Sequence, residues 1–149
     1  MIILQQEIKP DREIAYELLK DCGQAIQDEI AFEKLLDALE CVTNMTDKEI
    51  KKLNEIKEKR DTIITLLYQK RREIYEKIRE ENEILRGTSE LKFIDDLISK
   101  ARYEFNLLRF KLLSQAIRKT DISTFAEKTI SDEINRTFEK YLEFLRDEL

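Results

Sequence analysis

The sequence predicts an all-α fold: a bundle of about five helices in one domain covering residues 1–149, with two long core helices. Three observations predict it. Charged residues fill 40% of the 149 positions, while Gly occurs twice and Pro once, a composition of long, solvent-flanked helices. Apolar residues recur at three- and four-residue spacing through most of the chain. No segment alternates with the two-residue period of a half-buried strand, so no β-rich second domain is expected within the chain. A chain of this length buries roughly 70% of its unfolded surface on folding, so one core suffices.

The elements follow in order. Met1–Ile8 reads either as a short strand or as an apolar lead-in tucked under the bundle. Pro10–Asp11 opens the first helix, with Ile14, Leu18 and Leu19 on one face, and Gly23 is its expected stop because glycine takes a left-handed cap without penalty. A second helix runs to about Val42 on Ile26, Ile30, Leu35, Leu36 and Leu39, and Thr43–Asn44 is a loop. Thr46–Asp47–Lys48–Glu49 has the pattern of a capping box, in which hydroxyl and carboxylate each take the other's backbone amide. From there to Arg86 the chain has neither Pro nor Gly. The apolar rhythm lapses at Lys57–Asp61, where a bend, a break or an overhang covered by a partner is expected. Gly87 is expected to end this helix and Thr88–Ser89 to cap the next. That central helix carries Leu91, Ile94, Ile98, Ala101, Phe105, Leu108 and Leu112. Thr120–Thr129 reads as a loop pinned by Ile122 and Phe125. Ser131 is expected to cap the last helix, whose stripe is Ile134, Phe138, Tyr141, Leu142, Leu145 and Leu149.

Composition removes much enzyme chemistry. With no histidine, there is no Ser–His–Asp or Cys–His nucleophile system and no imidazole metal ligand. Two glycines cannot build a phosphate-cradling loop or a dinucleotide fingerprint. A helical hydrolase holding magnesium on Glu-x-x-Glu pairs remains conceivable, since that spacing puts two carboxylates on one face. Its candidates are Glu80–Glu83, Glu55–Glu58 and Asp95–Asp96, but none recurs as a matched second set. The chain is therefore expected to be no enzyme and to need no cofactor or metal. Cys22 and Cys41 read as buried, reduced thiols, the alternative being one bridge in a heat-adapted cytosol. No signal-peptide or membrane-spanning pattern occurs, so a cytoplasmic location is expected.

The net charge of −5 is unevenly spread. Residues 1–46 hold four bases against ten acids, net −6, and residues 120–149 four against eight, net −4. Residues 99–119 hold six bases (Lys100, Arg102, Arg109, Lys111, Arg118, Lys119) against Glu104, net +5. These bases either pair with acidic neighbouring helices or form a docking surface for a protein or nucleic acid. Arg71 and Arg72 make a second basic cluster, with Glu73 and Glu76 within a turn to neutralise it. An overall acidic chain makes any nucleic-acid contact local and weak.

Three segments in the second half carry a family resemblance. They are the helix REIYEKIREENEIL (Arg72–Leu85), the long FIDDLISKARYEFNLLRFKLLSQAI (Phe93–Ile117) with its basic motif at Arg109 and Lys111, and ISDEINRTFEKYLEFLRDEL (Ile130–Leu149) with Ser131, Glu133 and Phe138 in the closing motif. In this order, over about residues 70–149, they resemble the helical A domain of archaeal-type GINS complex subunits. The resemblance implies a non-enzymatic scaffold, an A domain of an A-then-B subunit or a form without the B domain. Its implied partners are other such subunits or itself, as tetramer or dimer, together with the MCM helicase and a RecJ-like replication factor. Partner-binding residues would be Arg102, Arg109, Lys111, Arg118, Arg71 and Arg72. The other expectation the residues allow is a generic helical adaptor or homo-oligomeric regulator.

Overall fold

A computed structural model describes the backbone of residues 2–81, 84–118 and 123–148, and the side chains of 13–80, 88–118 and 129–147. The order is α1 (Ile2–Gln24), α2 (Glu29–Val42), α3 (Asp47–Glu81), α4 (Ile84–Ile117) and α5 (Ser123–Glu143), closed by a π-helical turn at Phe144–Glu148. The described residues contain no strand, and the fold is an all-α bundle.

α3 and α4 are an antiparallel pair of 35 and 34 residues, each about 50 Å long. α4 is the axis of the molecule because it is apolar on two sides. One side, with Ile94, Leu97, Ile98, Ala101, Phe105, Leu108 and Leu112, packs against Leu53, Ile56, Ile63 and Leu67 of α3 and Ile130, Ile134 and Tyr141 of α5. The other meets α1 and α2, where Leu113 lies among Ala15, Leu19, Cys22, Phe32, Leu36 and Leu39. The Phe110 ring stands edge-on to Phe32 at 5.8 Å.

Several expected boundaries move. The opening segment is no strand: α1 starts at Ile2 and continues through Pro10. Gly23 does not form a left-handed cap, for its φ lies outside that range and the helix runs on to Gln24. α2 starts with Asp28, whose Oδ1 accepts from the Ala31 amide at 3.2 Å. The capping box forms as expected: the Glu49 amide donates to Thr46 Oγ1 at 3.2 Å and the Thr46 amide to Glu49 Oε1 at 2.8 Å.

Gly87 and Thr88–Ser89 do not punctuate the chain, since all three lie inside α4. Ser131 does not cap a helix either; it lies eight residues into α5, which takes in 123–129 of the expected loop. Ile122 and the Phe125 side chain lie outside the described residues. Nor does α3 bend or break at Lys57–Asp61. The apolar rhythm lapses there because the helix meets a polar partner, not because it ends.

Candidate functional site: a charged seam and the bare tip of the hairpin

The lapse at Lys57–Asp61 faces a seam of charged side chains between α2, α3 and α4. Its centre is Arg109, whose side chain is 0% exposed. Its Nη2 donates to Asp37 Oδ1 at 2.8 Å and stands 3.7 Å from Glu40 Oε2, while Nη1 donates to Asn106 Oδ1 at 3.1 Å. The same Asn106 oxygen accepts from Arg60 Nη1 at 3.3 Å, and that guanidinium stands 3.5 Å from Glu33. Lys57 donates to Glu40 Oε2 at 2.7 Å. Charges of both signs thus alternate across the seam, as desolvated ions require. Within the seam, Arg109 Nε is enclosed without a hydrogen-bond partner among the described residues.

This seam decides the fate of the expected partner-binding set. Arg109 does not face a partner, because α2 covers it completely. Arg102, half-buried, donates to Glu29 on α2 at 3.4 Å. The two arginines do share one side of α4, as their seven-residue spacing implies, and that side is where acidic α2 packs. Lys111 is exposed and donates to Glu133 of α5 at 3.0 Å, on a different side of α4. Arg118 is exposed near the end of that helix. Arg71 donates through Nε to Asp95 on α4 at 2.7 Å. Arg72 is exposed and makes neither of the local pairs expected for it; Glu73 is engaged by Lys70 instead, at 3.5 Å. The six bases therefore form no single surface.

On the opposite side, α5 is tied down by Lys140, which donates to Glu104 at 2.6 and 2.8 Å, and by Lys59, which reaches Asn135 at 2.9 Å. The Tyr141 hydroxyl is enclosed there with no hydrogen-bond partner among the described residues. Burial, and then the Glu104 carboxylate, push its ionisation far up. A shallow groove of about 630 Å³ runs between α3 and the end of α5, with Leu66, Leu142 and Leu145 at its floor and charges of both signs around it.

Of the candidate hydrolase carboxylates, Glu55 is engaged by Lys52 and Lys59 and Asp95 by Arg71. Burial raises the Glu55 carboxyl, but Lys59 and Lys52 outweigh it and hold it below its usual value. Glu83 lies outside the described residues. Among those described, no three carboxylate or cysteine side chains converge as metal donors. The thiols differ from expectation in one respect: both are free, but only Cys22 is buried and Cys41 is exposed. No helix among the described residues is long and apolar enough to cross a membrane.

What composition did not single out is the tip of the α3–α4 hairpin. α2 begins at Glu29, beside Arg102, and no part of it reaches the Arg71–Asp95 rung. Past the start of α2, Tyr68, Tyr75 and Phe93 stand 50%, 53% and 46% exposed. On α3 the spacing aligns Tyr68, Arg72, Tyr75 and Arg79 in one narrow stripe. The spacing was readable in the sequence, but not which face of the hairpin the shorter helices would leave open. Comparison with known proteins adds nothing to this geometry: no family model, no curated protein and no solved structure matches the chain.

Proposed function

We propose that this chain is a non-enzymatic scaffold: a helical subunit of a GINS-like assembly that links the MCM replicative helicase to partner replication factors. The observation that carries the scaffold reading is the tip of the hairpin. α3 and α4 run past α2 and present three half-exposed aromatic side chains, with Arg72 and Arg79 unpaired among the described residues, the composition of a protein–protein anchor. The replication assignment rests on the likeness of residues 70–149 to GINS A domains. The continuous α4 (Ile84–Ile117) supports it, and the loss of the Ser131 cap counts against its closing motif. Binding of the purified chain to a tagged MCM ring tests it. Retention of the chain on the ring supports the proposal, and passage of the folded chain without retention ends it.

The second reading, a homo-oligomeric helical regulator unrelated to replication, is favoured by one observation: the acidic α1–α2 half and the basic stripe near the tip are complementary within the same chain.

A further inference from the structure

The groove between α3 and α4 that receives α2 continues beyond the start of α2. At the Arg60 rung the arginine is 15% exposed; at the Arg71–Asp95 rung the two side chains are 39% and 51% exposed. Lys57, which α2 engages through Glu40, and Tyr75 lie about five full turns apart on one line of α3, with Tyr68 close to the same line. One flank of α3 is therefore covered at its base and bare at its tip. Arg72 and Arg79 stand beside the two tyrosines, and neither forms an ion pair among the described residues.

The base of the molecule presents the opposite chemistry. The outward side of α1 exposes Glu13, Ile14, Glu17 and Asp21, three carboxylates against the one base Lys20 among them, and Ile30 is exposed at the start of α2. We infer that the bare tip is covered by the α1–α2 layer of a second copy of this chain, two copies interlocking head to tail about a two-fold axis.

Shape and charge both lead there. Each copy is thicker at its base, where α1 and α2 pack on α4, than at its tip, which α2 does not reach. A two-fold rotation lays the thick end of each copy on the thin end of the other, so both contacts form at once and the assembly closes at two. Ile14 and Ile30 then have Tyr68 and Tyr75 to cover them, and the α1 carboxylates have Arg72 and Arg79.

The inference rests on the scaffold reading, since it names what covers the proposed docking surface, but the two fail separately. A monomer that binds the MCM ring removes the dimer and leaves the scaffold. A dimer that ignores the ring removes the replication assignment and leaves the dimer.

The experiment is sedimentation velocity on wild type, on Arg72→Glu with Arg79→Glu, and on Glu13→Lys with Glu17→Lys and Asp21→Lys, each checked for helicity by circular dichroism. Wild type is expected at twice the 17.9 kDa chain mass, and each folded reversal variant at half the wild-type mass. An equimolar mixture of the two variants is expected to return to the dimer, because in that pair one contact is repaired by the double reversal and the other is wild type on both sides. A wild-type monomer, reversal variants that remain dimeric, or a mixture that stays monomeric overturns the inference.

Discussion

Arg109 and Asp37 join α4 to α2 through a 2.8 Å bond in which the guanidinium side chain is fully buried and the carboxylate is 64% exposed. The asymmetry sets what each contributes. Arg109 is held by the fold and needs a counter-charge, while Asp37 already has water. Removing Arg109 also leaves a cavity and strips Asn106 of one donor.

Replacing Arg109 by Ala is accordingly expected to cost about 3 kcal/mol in urea unfolding, at the low end for breaking a buried pair. Asp37→Asn is expected to cost about 1 kcal/mol, because Glu40 remains 3.7 Å from the guanidinium and the exposed Asp37 carboxylate is already solvated. Arg109→Met, which fills the space without a charge, is expected to recover most of the Ala loss. A Met variant no more stable than Ala would mean that the ion pair, not the packing, dominates.

Gly23 offers a gain. Its backbone is helical, and a Cβ built there has the Phe110 ring as its nearest neighbour, at 4.0 Å, an ordinary contact. Gly23→Ala is expected to raise stability by about 0.5 kcal/mol by reducing unfolded-chain entropy. A loss measured in the same titration would show that the glycine is required after all.

The Thr46–Glu49 box fixes the start of α3 with two bonds made outside the core. Thr46→Ala is expected to cost about 1 kcal/mol with little change in the slope of the denaturation curve. A cost several times larger would place this corner in the core.

The two thiols are expected to separate kinetically. With native protein a disulfide reagent such as dithionitrobenzoate should modify exposed Cys41 quickly and Cys22 only as fast as the fold opens. Burial first, then Asp21, push the Cys22 thiol from 9.0 up to about 11, against the opposing field of Arg109. The unfolded chain therefore releases this proton first. Stability from this group is complete below pH 9 and falls as pH rises from 9 to 11. Cys22→Ala should flatten that part of the stability profile relative to wild type; an unchanged slope would assign the alkaline loss to other groups.

Much of the fold was legible because helical periodicity is a local property. The Thr46–Glu49 box and the apolar series of α3 and α4 speak for their own segments, whereas Asp28 as the cap of α2 was not read from the sequence. What misled were residues whose meaning depends on a neighbour. Gly87 and Ser131 are good punctuation in isolation, yet both sit inside helices that continue through them. Lys57–Asp61 broke the apolar pattern because α2 brings Glu33 and Glu40 against that stretch, a pairing no local window contains. The basic cluster of 99–119 failed as a single site for the same reason: Arg102 and Arg109 turn toward α2 and Lys111 toward α5. The Tyr68–Arg72–Tyr75–Arg79 stripe was present as spacing, but its exposure depends on where α2 begins.

The central claim is that the outer flank of α3 beyond α2 is a covered surface in the assembled protein. Hydroxyl-radical footprinting of the assembly measures this most directly, with Tyr103 as internal reference. Tyr68 and Tyr75 are expected to oxidise several-fold more slowly in wild type than in the Arg72→Glu, Arg79→Glu variant. Equal oxidation rates at both tyrosines in the two proteins would contradict the account.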